Sequence, residues 1–126
     1  MKVKDGLLYS ENHEWVEVNG NQAKIGITDY AQHHLGDIVF VELPEEGDEV
    51  EKEGSLCTIE SVKAASDVYA PISCEVVEAN DELEDEPALV NEKPYEAYIC
   101  QVLVTNPSEL ETLMDANAYR EFTEEE

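Results

Sequence analysis

Basic residues are scarce in this chain of 126 residues. Its 7 lysines and arginines stand against 31 aspartates and glutamates, which gives a formal net charge of −24. Such an excess of carboxylates repels the phosphates of nucleic acids and anionic lipids, so we expect neither a nucleic acid nor a membrane as partner. It favours solubility and partners with basic docking surfaces. Adaptation to a salty interior is an alternative explanation of the same composition.

The sequence also lacks long apolar runs, an apolar leader and a low-complexity linker. No run approaches the roughly 20 residues of a membrane-spanning helix, and no secretory signal is visible. The cysteines are odd in number and lack metal-type spacing, which indicates reduced thiols: Cys57, Cys74 and Cys100. We therefore expect a single domain over 1–126, cytoplasmic in a bacterium or a mature mitochondrial matrix form in a eukaryote.

Short apolar runs separated by turn residues predict a mostly-β sandwich or barrel. The Asn19-Gly20 pair lies between two of these runs and is typical of a tight hairpin turn. The predicted strands cover residues 15–18, 23–27, 37–43, 56–61, 68–69, 75–78 and 99–104.

Helix signals are few. Thr28 as N-cap and Gly36 just past the end predict a short helix that completes an N-terminal unit of about 7–36. Asn106 as the cap, Pro107 at the first position and Glu109 reaching back from the third predict the start of a C-terminal helix over about 107–122. Its apolar face would contain Leu110, Leu113 and Met114. We interpret the acidic segment 81–86 as a solvated loop, with a hard-cation site as the alternative, and we expect no metal.

One lysine stands out because of its position. Lys63 falls at the predicted tip of a turn between two strands. Its side chain is long and nucleophilic when neutral, and acylation would remove the charge and lengthen the arm. Glycines and apolar residues are spaced around it as in a small β core: Gly47, Val50, Gly54, Leu56 and Ile59 before it, and Val68, Ala70, Pro71 and Val76 after it.

This spacing resembles the swinging-arm carrier fold shared by lipoyl and biotinyl domains. The resemblance implies a mostly-β hybrid barrel-sandwich of two half-sheets over about 37–104, with the carrier lysine on a hairpin, plus short helices and a C-terminal helix. Biotin carriers usually place methionine on each side of the lysine, whereas the neighbours of Lys63 here are Val62 and Ala64.

Motifs outside that core resemble one family, the glycine cleavage system H proteins. The resemblance covers about 6–122, and the segments that carry it are 10–15 (Ser-Glu-Asn-His-Glu-Trp), 26–31 (Gly-Ile-Thr-Asp-Tyr-Ala), 35–37 (Leu-Gly-Asp), 60–64 (Glu-Ser-Val-Lys-Ala) and 107–110 (Pro-Ser-Glu-Leu). It implies a carrier subunit, rather than an enzyme, with lipoic acid in amide linkage on Lys63. It also implies four partners: glycine decarboxylase with pyridoxal phosphate, aminomethyltransferase with tetrahydrofolate, dihydrolipoyl dehydrogenase with FAD, and a lipoate-attaching enzyme.

The resemblance further implies a surface cleft that shelters the loaded arm, with Glu14 and Asp67 at the cleft and His34 beside the arm. Carboxylates suit an aminomethyl group, which is cationic when protonated. Alternatively, Asp67 caps a turn and Glu14 is an ordinary surface acid. We interpret Glu60 and Ser61 as features that a lipoate-attaching enzyme recognises.

Two segments depart from the family pattern. Cys74 occupies a position that is usually glycine, so a positive φ there would strain it; a buried apolar role is the alternative. Residues 96–98 are Glu-Ala-Tyr where the family usually has a glycine-containing step and a tryptophan. A lipoyl protein that relays lipoate to other carriers is an alternative function that this sequence does not distinguish. A hydrolase or metal enzyme using His13, His33 and His34 is disfavoured, because no nucleophile elbow, metal-spaced histidine pair or phosphate loop is present.

Overall fold

The computed structural model describes residues 2–124 and consists mostly of strands. The strands are β1 (Leu8–Tyr9), β2 (Glu14–Asn19), β3 (Gln22–Ile27), β4 (Ile38–Glu42), β5 (Glu49–Val50), β6 (Ser55–Ser61), β7 (Ala65–Tyr69), β8 (Cys74–Ala79) and β9 (Cys100–Val104). The helices are α1 (Asp29–Leu35), α2 (Glu82–Asp85), α3 (Leu89–Glu92), a 3₁₀ helix (Pro107–Thr112) and α4 (Ala116–Glu124).

The strands form two sheets in which every named pair is antiparallel. One sheet has six strands in the order β1-β2-β3-β9-β8-β5, and the other has three in the order β4-β6-β7. Side chains from both sheets, such as Ile25, Ile59 and Val76, belong to one buried apolar cluster. Burial of this cluster is the main favourable contribution to folding. The predicted hybrid barrel-sandwich, with short helices and a C-terminal helix, is confirmed.

The first hairpin turns one residue later than predicted. Asn19 pairs with Gln22, so the two loop residues are Gly20 and Asn21 rather than Asn19 and Gly20. Gly20 has a φ of 67°, and a positive φ at the first of two loop residues is typical of a type II′ turn. Asn19 therefore extends the ladder of β2, and the glycine carries the conformation that other residues rarely adopt.

The predicted helix over 107–122 is wrong in its bounds and its start. The segment is divided into the 3₁₀ helix and α4, and Asn106 makes no side-chain capping bond. The carboxylate of Glu109 accepts hydrogen bonds from the backbone N–H of Ser73 at 2.7 Å and from its hydroxyl at 3.1 Å. This tertiary contact uses the side chain that the capping pattern had assigned to the helix start.

The two helices are separated by an extended stretch. The N–H groups of Met114 and Tyr9 each donate to the other residue's carbonyl, both at 2.8 Å, so Met114 forms a β-bridge with β1. The sequence pattern predicts that Leu110, Leu113 and Met114 share one helical face. This prediction is wrong, because Leu113 and Met114 lie outside both helices. Phe122 on α4 packs against a second apolar cluster that contains Tyr9, Trp15 and Tyr119.

Two expectations about local structure are corrected or resolved. The acidic segment 81–86 contains a helical turn, α2, whose Leu83 is fully buried, so it is not a plain loop. Cys74 is absent from the positive-φ residues of the described chain and is 2 % exposed. Burial raises the pKa of its thiol to about 11, so Cys74 is a small apolar core residue with an unreactive thiol.

Candidate functional site

Lys63 is exposed at the tip of the hairpin between β6 and β7. The turn is closed by Ser61: its N–H donates to the carbonyl of Ala64 at 2.9 Å, and its hydroxyl accepts from the N–H groups of Lys63 and Ala64, each at 3.2 Å. Ser61 therefore fixes the shape of the turn, and its role in enzyme recognition stays a prediction. Glu60 is exposed on β6 and pairs with Phe40 across the sheet.

The amine of Lys63 folds back onto the end of helix α1. Its Nζ donates to the carbonyl oxygen of His34 at 2.7 Å. The carbonyl lies at the C-terminus of the helix, where the partial negative charge of the helix dipole attracts a cation. Gly36 follows the helix with a φ of 82°, and a Cβ there would lie 3.1 Å from Cε of Lys63. Acylation of Lys63 thus requires that the amine leave the carbonyl and lose its proton.

Helix α1 begins and ends where the sequence predicted, after Thr28 and before Gly36, and a side chain fixes each end. Thr28 caps the start by accepting from the N–H of Ala31 at 3.1 Å. At the other end the amide of Asn91 donates to the carbonyl of Gly36 and accepts from the N–H of Ile38, both at 2.9 Å. Helix α3, which carries Asn91, therefore positions the loop against which Lys63 rests.

A cavity of about 260 Å³ lies beside this contact. It brings together the three residues that the sequence assigned to the cleft: Glu14 from β2, His34 from α1 and Asp67 from β7. Asp67 lies within a strand and accepts from the hydroxyl of Thr58 at 3.2 Å, so it does not cap a turn. The apolar part of the lining consists of Ile27, Ala31, Leu35 and Val68.

Glu14 is the buried acid of this cavity, with an exposure of 2 %. Burial raises its pKa to about 7, although the hydrogen bond that it accepts from the Ser10 hydroxyl at 2.6 Å partly opposes the effect. Glu14 and Asn12 also line a second cavity, of about 320 Å³. Glu14 is therefore not one more surface acid, and its ionisation responds to conditions near neutral pH.

Sequence reasoning missed the aromatic wall of the cavity. The ring of Tyr30 lies between the rings of His13 and His34, with centroid distances of 4.4 and 4.3 Å. Tyr30 and His34 are four residues apart on α1, and this spacing could have indicated that they are neighbours. No comparable sequence signal places His13 beside Tyr30. His13 has a φ of 68°, and its Nδ1 lies 2.7 Å from the hydroxyl of Tyr119.

No group of three or more histidine, cysteine, aspartate or glutamate side chains within residues 2–124 is arranged to hold a metal ion. Along the same residues, no helix has the length and apolar character needed to cross a membrane. The two half-sheets, the exposed lysine at a hairpin tip and the cavity beside it define the class of protein. They are the fold and lysine placement of swinging-arm cofactor carriers.

Comparison with known proteins identifies the family. The family model described as glycine cleavage H-protein matches residues 7–126. The glycine cleavage system H protein of Syntrophomonas wolfei is 56% identical over 126 residues, covering 100% of this chain and 97% of that protein. That of Alkaliphilus oremlandii is also 56% identical over 126 residues, with 100% and 99% covered. The crystal structure of a glycine cleavage system H protein from Mycobacterium marinum superposes with a TM-score of 0.81 at 33% identity, covering 93% of this chain and 95% of that chain. The chain belongs to the glycine cleavage H-protein family, a family of lipoyl carriers.

Proposed function

We propose that this protein is the lipoyl carrier of a glycine cleavage system and that Lys63 bears lipoate in amide linkage. The observation that carries the proposal is the exposed Lys63 at the tip of a hydrogen-bonded hairpin. Its amine donates to the carbonyl of His34, a residue that also lines the cavity. An arm that begins at Lys63 thus starts at the rim of a cavity of about 260 Å³.

The residues of the cavity fit a lipoyl arm. Its apolar lining, for example Ile27, Leu35 and Val68, suits a hydrocarbon chain, and its polar members suit a polar load at the end of that chain. When bound, the lipoyl group supplies reversible dithiol–disulfide chemistry. The protein supplies attachment, orientation and shelter from water.

Glu14 and Asp67 are the groups that we assign to the cationic end of the cargo, a protonated aminomethyl amine. A carboxylate donates no hydrogen bond and attracts an ammonium strongly when water is excluded. Because Glu14 has a pKa of about 7, a bound cation would draw it fully into the charged form. His34 would lie beside the arm, with its ring held by Tyr30.

The carrier itself performs no catalytic step in this proposal. The chain acts as one carrier domain. It receives the aminomethyl unit at glycine decarboxylase, presents it to aminomethyltransferase and is reoxidised at dihydrolipoyl dehydrogenase. A covalent arm keeps the unit bound and raises its effective concentration at each site in turn. We place this cycle in a reducing compartment, the cytoplasm of a bacterium or the mitochondrial matrix of a eukaryote, because Cys57, Cys74 and Cys100 are free thiols.

The proposal is tested by incubating the protein with lipoate, ATP and a lipoate ligase, followed by intact and peptide mass spectrometry. We expect one lipoyl adduct, on the peptide that contains Lys63. Lys63→Arg should fold normally and gain no adduct, because a guanidinium is not acylated by this chemistry. Lys93→Arg, a second exposed lysine, is the matched control and should still gain one adduct. An adduct on another residue, or none beside an active control carrier, would refute the proposal.

A further inference from the structure

Exposed apolar side chains are concentrated beside the lysine turn. Of the five large apolar side chains that are exposed within residues 2–124, three lie here: Val39 at 54%, Phe40 at 45% and Val62 at 66%. Single exposed apolar residues are ordinary, but a contiguous group of them is typical of an interaction surface. We refer to Val39, Phe40 and Val62 as the outer patch.

A β-bulge creates this patch. Ile38 pairs with Ser61 and Phe40 with Glu60, so Val39 is the extra residue between two successive pairs. In a regular strand Val39 and Phe40 would face opposite sides, but both are exposed here, while Ile38 and Val41 are buried. Strand β4 is the edge of its sheet, so nothing within that sheet covers its outer side.

The bulge places the patch next to Lys63. The N–H of Val62 donates to the carbonyl of Asp37 at 2.9 Å, which continues the pairing of β4 with β6 up to the turn. Val62 precedes the lysine directly, and Val39 and Phe40 lie within the next few residues along the same ladder. A protein that reaches the amine of Lys63 must approach this surface.

We propose that the outer patch is the docking surface for the acyltransferase that attaches lipoate to Lys63, an inference that rests on the proposed function. The short reach of an unmodified lysine favours this occupant. The enzyme must bring its bound acyl carbon to Nζ while the arm is only a lysine side chain, so its surface has to meet the turn and the strands beside it. Enzymes that act on the finished arm meet its far end and need not touch the patch.

Charge supports the same occupant. The patch is bordered by three exposed carboxylates, Asp37, Glu42 and Glu60, and β4 and β6 carry no basic residue. An apolar centre within a charged rim is the usual organisation of a protein interface. The complementary surface is therefore an apolar depression bordered by lysines or arginines, which would also accelerate association at low salt.

The attachment step requires the neutral amine. Docking must free Nζ from the His34 carbonyl, and the ammonium releases one proton to the enzyme or to water. The amine lone pair then forms the C–N bond with the acyl carbon of an activated lipoate, a mixed anhydride with adenylate. The C–O bond to the adenylate breaks, AMP leaves with the electron pair, and the nitrogen loses a second proton to give the neutral amide. No oxidant or reductant is needed.

The test measures initial rates of lipoylation against carrier concentration, with purified lipoate–protein ligase, lipoate and ATP, and intact mass as the readout. The variant is Val39→Thr with Phe40→Thr, and threonine suits an edge strand because it is β-branched and polar. Val18→Thr, another exposed valine at 39% exposure, is the matched control on β2. We expect the double variant to raise KM about tenfold with little change in kcat, a typical loss for truncated interface anchors, and the control to stay within twofold.

The single variant Val62→Thr should raise KM in the same direction, and it stands in if the double variant fails to fold, as judged by thermal unfolding. If the folded variants have a KM within twofold of that of the protein with its natural sequence, the proposed docking surface is wrong. That result differs from failure of the proposed function, in which the protein without any substitution gains no adduct on Lys63.

Discussion

Glu14 has almost no exposure to solvent, so its ionisation is coupled to folding. Its pKa rises from 4.5 to about 7 because burial disfavours the carboxylate. Between these values the folded protein keeps a proton that the unfolded chain has released. This contribution to stability is therefore fully present below about pH 4.5, decreases as the pH rises, and is lost above about pH 7.

Glu14→Gln removes this titration. Between pH 4.5 and pH 8, we expect the unfolding free energy of the protein with its natural sequence to fall by about 3 kcal/mol more than that of Glu14→Gln. Denaturant unfolding of both proteins across this range measures the difference, and repulsion among the other carboxylates cancels in the comparison. Glu11→Gln, an exposed neighbour, should follow the unmodified protein. Parallel pH profiles for Glu14→Gln and the unmodified protein would contradict the assignment.

Lys63 illustrates which features of the site can be predicted from the sequence and which cannot. Its place at a hairpin tip followed from turn residues and strand periodicity, which are local signals. The contact of its amine with the His34 carbonyl could not be predicted, because the two residues are 29 positions apart and meet only through the packing of α1 beside the hairpin. The burial of Glu14 could not be predicted either, because no local sequence signal distinguishes it from the other acidic residues among the 31.

At the scale of elements, α1 and the loop after it depend on one side chain from α3. The amide of Asn91 donates to the Gly36 carbonyl and to Oε1 of Gln32, and it accepts from the N–H of Ile38, all at 2.9 Å. These bonds join the helix end, the loop and the start of β4. The loop supports Lys63, so Asn91 helps to fix the position of this lysine.

Asn91→Ala should lower the unfolding free energy by about 2 kcal/mol, because it leaves partly buried backbone groups without their side-chain partner. It should also accelerate hydrogen exchange at Ile38 far more than at strand amides such as Ile59. Glu92→Ala, an exposed change on the same helix, is the control. Unchanged exchange at Ile38 would show that the loop is held by other contacts.

Elements with strong local signals were predicted well, and elements decided by tertiary contacts were not. The cap of α1 at Thr28 is local and was correct. The C-terminal segment has an equally good capping pattern, yet Glu109 bonds to Ser73 and Met114 pairs with Tyr9. The bridge from Met114 to Tyr9, 105 positions away, outweighs helix propensity, which is a weak preference worth only tenths of a kcal/mol per residue.

At the scale of the whole molecule, the net charge of −24 acts on folding and on association in opposite ways. The folded state holds the carboxylates closer together than the unfolded chain does, so their mutual repulsion opposes folding. The same field attracts partners with basic surfaces, and the carboxylates beside the outer patch are part of it. Added salt screens both effects.

Raising the ionic strength from about 0.01 to about 0.5 M should therefore stabilise the protein. Screening shortens the reach of each charge from about 30 Å to a few Å, and we expect a rise in Tm of about 3–6 °C, equivalent to about 1 kcal/mol. Thermal unfolding in sodium chloride and in potassium chloride should give the same rise, because screening does not depend on the identity of the cation. A constant or falling Tm would mean that favourable charge pairs, rather than net repulsion, dominate this surface.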